Sequence, residues 1–153
     1  RMNQQDTPLV TPRCISLDND WNSKEEVMKG MTDNLLLAGR CRYPRKLEAD
    51  LWAREAVFST GLGFSFAIPH SKSEHIEQST ISVARLKAPV MWGDEEAQFI
   101  IMLTLNKHAA GDQHMRIFSR LARRIMHEDF RNALVNASSG EAIASLLQHE
   151  LEL

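Results

Sequence analysis

Apolar residues recur along this chain with two different periods, and the changes of period divide it into helices, then strands, then helices again. Val27, Met31 and Leu35 repeat every fourth residue, the spacing of one helix face. Ser23 stands where it can accept a hydrogen bond from the free amides of a first turn, and Glu26 completes a capping box. Gly39 is placed to end that helix. Pro44, tolerated in a first turn, opens a second helix. Its buried face is expected at Leu47, Leu51 and Phe58, with Trp52 and Val57 beside them. From Asp112 the helical period returns: Met115, Phe118, Leu121, Ala122 and Ile125 make a buried stripe, with Arg116, Arg120, Arg123 and Arg124 on the wet side. A short helix follows over 130–137. Ser138 or Ser139 starts the last one, with Ile143, Leu146 and Leu147 turned inward.

Between these helices the pattern is that of strands. CISL (14–17) is a short candidate, and FSFAI (64–68) follows the turn STGLG. STISVARL (79–86) alternates Ile81 and Val83 against Thr80, Ser82 and Ala84. KAPVMWGDEEA reads as a loop holding a short strand or turn. QFIIMLTL (98–105) is apolar at successive positions and is expected as a central strand buried on both faces. The polar opening stretch with Pro8 and Pro12 predicts a flexible arm over 1–12, leaving 13–153 as one domain. The expected fold is α/β: a mixed sheet sandwiched between helices in three layers.

A length of 153 residues with 43% hydrophobic and 25% charged positions suits one ordinary globular core. The formal net charge of -2 gives no electrostatic reason to expect nucleic acid. No run approaches the roughly 18 apolar residues that cross a bilayer, so no membrane insertion is expected. The opening RMNQQDTPLVTPR lacks an apolar core of signal-peptide length, so no secretion is expected either. Cys14 and Cys41 are too few and too isolated for a disulfide framework or a zinc pattern. They read as reduced thiols in a cytoplasmic protein.

The chemistry rests with the six histidines. Neutral imidazole is a common zinc ligand, but no HExxH motif or Cys–Cys pair is present, and neither a metal nor another cofactor is expected. His75, His127 and His149 sit in polar surroundings and read as solvated; His108, in the loop after the central strand, is open to a functional role, with exposure the favoured reading. His114 occupies the first turn of a helix, where free amides and the dipole favour an anion, although polar residues are common there in any protein. His70 has the stronger physical case. Pro69 fixes its own φ and biases Ile68 toward extended backbone, so the approach to His70 is stiff. A neutral imidazole is also a competent nucleophile at pH 7. Arg54 falls near a helix C-terminus, where a cation complements the dipole.

Arg54-Glu55, Thr60-Gly61-Leu62-Gly63 and Ala67-Ile68-Pro69-His70 together form RE(x4)TGLGxxFAIPH. HMRIFSRLARRI(x4)FRNAL and SSGEAIASLL follow in the second half. Over about 12–150, in this order, the chain resembles the enzyme IIA domain of the fructose/mannitol class of the bacterial sugar phosphotransferase system. The resemblance implies a phosphoryl carrier with a mixed sheet sandwiched by helices. His70 would accept a phosphoryl group from the phosphohistidine of an HPr-like carrier protein and pass it to a cysteine of a IIB domain during sugar uptake. His114 would be the second active-site histidine and Arg54 the active-site arginine, which goes beyond what position alone gives either residue. Phe66 stands where the family usually has a smaller aliphatic residue, and Ser71 where glycine or another small residue is usual; neither removes a reacting group. The alternative is a regulatory IIA module, nitrogen-related or transcriptional, whose phosphorylation state signals to partners. A metal hydrolase built on scattered histidines is the third and weakest reading.

Overall fold

The computed structural model of the chain describes residues 8–109 and 111–153, except for the side chains of residues 111–114. In chain order the elements are β1 (Ile15–Asn19), α1 (Lys24–Leu37), α2 (Pro44–Val57), β2 (Gly61–Gly63), β3 (Phe66–Ala67), β4 (His70–Ser73), β5 (Thr80–Trp92) and β6 (Glu95–Asn106). They are followed by α3 (Gly111–Ile125), α4 (Glu128–Asn136) and α5 (Gly140–Glu150). The sheet order is β1-β5-β6-β3-β2, with β4 also paired to β6. β5 and β6 are antiparallel, while β1 on β5 and both β3 and β4 on β6 are parallel.

β6 is central for the reason its sequence suggested. Phe99, Ile101, Leu103 and Leu105 enter a core with Ile117, Leu121 and Ile125 of α3, Phe130 and Leu134 of α4, and Ile143 and Leu147 of α5. Ala97, Ile100 and Met102 enter a second core with Val27, Met28, Met31 and Leu35 of α1 and Leu47 and Leu51 of α2. Strand alternation thus feeds two helical layers from one strand, and the three-layer α/β/α arrangement is the one expected. The caps also fall where expected. Ser23 Oγ accepts from the Glu26 amide at 3.1 Å, while Glu26 Oε1 reaches back to the Asn22 amide at 3.3 Å. Ser139 Oγ accepts from the Ala142 amide at 3.1 Å. Gly39 follows α1 with φ 74°.

Several expectations need correction. The strand expected over 64–68 is a hairpin instead: Gly61 pairs with Ala67 and Gly63 with Phe66 around a turn at Phe64-Ser65. Those two residues take φ 58° and 68°, the left-handed pair that suits the twist of a two-residue hairpin and usually falls to Asn-Gly. The loop expected over 87–97 is largely strand. An irregularity between Arg85 and Val90 shifts the register there, which hides the alternation, and the chain turns at Gly93 with φ 65°. HSKS (70–73), too short and polar to signal a strand, forms β4. Val57 and Phe58 are 79% and 75% exposed, because α2 ends at Val57 and Phe58 is already extended. On α3, Met115 is exposed and Ile117 takes the buried place.

The arm expected over 1–12 is docked from residue 8 onward. Val10 is fully buried, and the Leu9 carbonyl accepts from the Ile81 amide at 2.7 Å. Arg40 Nη2 also donates to the Pro8 carbonyl at 3.0 Å and Gln148 Nε2 to the Val10 carbonyl at 3.2 Å, so the segment is held from both helical layers. Residues 1–7 lie outside the described residues. Cys14 and Cys41 are both buried and free. No described helix is long and apolar enough to cross a membrane.

Gly30 lies within α1 because Trp21 occupies the space beside it: a Cβ there would sit 2.2 Å from Trp21 Cζ2. Overpacking of this kind costs about 1–3 kcal/mol, more than the ~1 kcal/mol that alanine gains over glycine in a helix. Gly30→Ala is therefore expected to lower the unfolding free energy measured in urea by about 1 kcal/mol. A rise in stability would mean that the Trp21 ring moves aside freely.

Candidate functional site

β3 and β4 keep one register along β6, Phe66 opposite Phe99 and His70 opposite Leu103, with no slip between them. They form one line along β6 interrupted at Ile68-Pro69, where proline has no amide to donate. Alternation puts Phe66, Ile68 and His70 on the α3 side of the sheet. Phe66 and Ile68 are buried there, and His70, at the start of β4, is half-buried. The Pro69 carbonyl still accepts from the Leu103 amide at 3.0 Å, so the backbone entering His70 is held on both sides of the interruption. Ser73 Oγ donates to Asp50 Oδ2 at 2.5 Å and ties the far end of β4 to α2.

The His70 ring is fixed by two contacts. Its Nδ1 lies 2.9 Å from the Ile68 carbonyl oxygen, and its ring meets Phe118 of α3 at a centroid distance of 4.5 Å and 47°. A carbonyl can only accept, so the proton of the neutral ring sits on Nδ1 and Nε2 carries the free lone pair. Burial is the main reason that the His70 pKa lies below its ordinary value. The Ile68 carbonyl opposes that shift, the Arg54 charge adds to it, and Glu55 opposes it again.

Arg54, in the last turn of α2, is thus within electrostatic reach of His70. Its Nη1 donates to the Phe58 carbonyl at 2.9 Å. The helix-end role expected from position is present, and a guanidinium has further donors to offer. Position 114 falls in the first turn of α3, one turn before Phe118, and the His114 side chain lies outside the described residues. His108, His127 and His149 are exposed and His75 is half-buried.

Beneath the loop that leads to β2 lies a buried group to which the sequence reading gave no role. Glu55 is 6% exposed. Its Oε2 accepts from the Thr60 amide at 2.7 Å, from Trp92 Nε1 at 3.1 Å and from Lys24 Nζ at 3.0 Å, and its Oε1 accepts from Thr60 Oγ1 at 2.6 Å. Burial alone pushes this carboxyl up, but the two Thr60 hydrogen bonds and Lys24 outweigh it and hold the pKa below the ordinary value. One signal was available. An acid in the last turn of a helix opposes the dipole, so Glu55 had to find compensating donors elsewhere.

The three-layer α/β/α domain thus presents an oriented imidazole within electrostatic reach of a guanidinium. The family described as "Phosphoenolpyruvate-dependent sugar phosphotransferase system, EIIA 2" matches residues 8–150, and the chain belongs to that family. It is a phosphotransferase component. Multiphosphoryl transfer protein 2 of Escherichia coli (strain K12) is 90% identical over 153 residues, covering 100% of this chain and 18% of that protein. The chain therefore spans about a fifth of that relative's length. Among solved structures, nitrogen regulatory protein IIA-Ntr from Neisseria meningitidis is similar with a TM-score of 0.81 at 27% identity, covering 91% of this chain and 96% of that one. Enzyme IIAMTL in its complex with phosphorylated enzyme IIBMTL, from Escherichia coli, shares the fold with a TM-score of 0.74 at 19% identity, covering 92% and 99%.

The lowered pKa keeps His70 neutral at pH 7. The sign of the linkage follows: the stability from this depressed value is fully present above the unfolded pKa, 6.5, and is lost as pH falls through the lower folded value. NMR titration of the His70 ring is expected to give a midpoint below that of the urea-unfolded chain, with Arg54→Gln moving it upward. A midpoint at or above the unfolded value would contradict the burial described here.

Proposed function

We propose that this domain carries a phosphoryl group on His70 Nε2 in the uptake of sugar, in the cytoplasm. The observation that carries this reading is the hydrogen bond from His70 Nδ1 to the Ile68 carbonyl, which leaves Nε2 unprotonated and aimed. In the first step the Nε2 lone pair attacks phosphorus of a phosphohistidine on an HPr-like carrier. The new P–N bond forms as the old one breaks, and its electron pair returns to the donor imidazole. The proton stays on Nδ1, donated to the Ile68 carbonyl, which helps to stabilise the positive charge gained by the ring. In the second step a IIB cysteine thiolate attacks the same phosphorus and His70 leaves neutral.

Charge on the three equatorial oxygens is the main electrostatic demand of this transfer. Arg54 meets it with a permanent cation and forked donors, one of them already engaged at the helix end. His114, on the first turn of α3, supports the phosphoryl group without being modified. Exposed Val57 and Phe58 beside Arg54 supply apolar surface of the kind protein partners cover. The name of the Escherichia coli relative, a multiphosphoryl transfer protein, and the IIB partner of the mannitol domain support this sequence of events. The likeness to a nitrogen regulatory IIA supports the second reading, a signalling module that uses the same His70 chemistry. Transfer to a IIB cysteine separates the two.

Incubated with phosphoenolpyruvate and the upstream carriers, the protein is expected to gain one phosphoryl group, acid-labile and alkali-stable, on His70. His70→Ala should gain none; undiminished labelling of that variant by intact mass would overturn the assignment. His114→Ala should still be labelled on His70, with transfer about 10²–10³ slower, as for loss of one oriented donor. Normal rates in both directions, or phosphate found on His114, would contradict its supporting role. Arg54→Lys should keep part of the rate and Arg54→Gln less. A folded Gln variant as fast as wild type would remove Arg54 from the site.

A further inference from the structure

We propose that Glu55 is a positioning residue for the His70 reaction, acting through Thr60 and the backbone of Ile68 to fix the tautomer and aim of the ring. Four hydrogen bonds form the path. The Glu55 carboxylate accepts from both the amide and the hydroxyl of Thr60, at 2.7 and 2.6 Å. The Thr60 carbonyl accepts from the Ile68 amide at 3.0 Å. The Ile68 carbonyl accepts from His70 Nδ1 at 2.9 Å.

Thr60 is 5% exposed and is held at two atoms by one carboxylate, and its carbonyl meets the Ile68 amide next to the Gly61–Ala67 pair of the hairpin. Trp92 Nε1 closes the far side by donating to both Glu55 Oε2 and Thr60 Oγ1, each at 3.1 Å. Ile68 is then held by its amide, while Pro69 restricts its backbone to extended geometry, so its carbonyl is aimed as well. The path crosses from one residue's amide to its carbonyl, which lie in different peptide groups. It therefore transmits position: the Glu55 carboxylate bonds Thr60, Trp92 and Lys24 rather than the ring, which its charge reaches only through space.

This inference rests on the His70 reading, but its first readout is independent of phosphorylation. That readout is the pair of ¹⁵N ring shifts of His70 in the folded protein at pH 8. Wild type should show the Nδ1–H tautomer. Glu55→Gln keeps the shape but has a single acceptor oxygen, and it should show a mixture of tautomers. Thr60→Val should do the same by losing the hydroxyl, while Thr60→Ser, which keeps both donors, should restore the wild-type pattern.

With HPr-like phosphocarrier as donor, Glu55→Gln and Thr60→Val should transfer about 10–100-fold more slowly, the cost of a misaimed group, with KM for the donor within about twofold. Ser139→Ala, which removes the α5 cap far from this path, should destabilise the domain and leave the rate unchanged. A folded Glu55→Gln that keeps the Nδ1–H tautomer would overturn the proposal, whatever its rate. If that variant does not fold, Thr60→Val against Thr60→Ser decides. If wild type is phosphorylated elsewhere, the His70 reading fails and the tautomer comparison still judges the path.

Discussion

A buried carboxylate must be met by donors, and Glu55 receives four of them from three separate parts of the fold. Lys24 comes from the first turn of α1, Trp92 from the end of β5, and the amide and hydroxyl of Thr60 from the segment entering β2. Left unpaired, such a charge would cost several kcal/mol, so these four groups are bound to stay together. The ammonium of Lys24 lies 5.1 Å over the Trp92 ring and 5.6 Å over the Trp52 ring, which completes its own surroundings. The start of the glycine-rich segment is thereby fixed to the α1–α2 layer. Everything after it, the hairpin, the proline and His70, hangs from that point.

The second constraint is the register of the β3–β4 line on β6. A slip of one residue between Phe66 and His70 would turn the imidazole from the α3 face to the α2 face. Pro69 interrupts the hydrogen bonding yet leaves the register intact, because the Pro69 carbonyl keeps its bond to the Leu103 amide. The imidazole consequently arrives beside Phe118, half-buried and neutral, with Nδ1 occupied. Burial that lowers the pKa of the ring also keeps its Nε2 lone pair available at pH 7. Packing and reactivity thus have the same cause.

Much of this arrangement was legible in the residues. The stripes of α1 and α5 and their serine caps could be read directly, as could the two-faced apolar run of β6. The stiff Pro69-His70 approach was legible as well, and backbone hydrogen bonds at Ile68 and Pro69 hold it. What stayed hidden depends on contacts distant in sequence. β4 is four polar-to-small residues whose pairing comes entirely from β6. The Phe64-Ser65 turn uses residues that seldom adopt positive φ, so the glycines beside it drew the expected turn to the wrong place. Glu55 was visible only as half of an Arg-Glu pair. Thr60 is close by, but the other two donors to Glu55 lie 31 residues upstream and 37 downstream at Lys24 and Trp92, beyond any local pattern.

The central claim is chemical and regiospecific: the phosphoryl group bonds to Nε2 of His70 while Nδ1 keeps its proton, donated to the Ile68 carbonyl. Phosphorus–nitrogen coupling in the phosphorylated, ¹⁵N-labelled protein tests it most directly. The account predicts one-bond coupling of phosphorus to His70 Nε2, with a proton retained on Nδ1. Coupling to Nδ1, or to a nitrogen of another histidine, would contradict it.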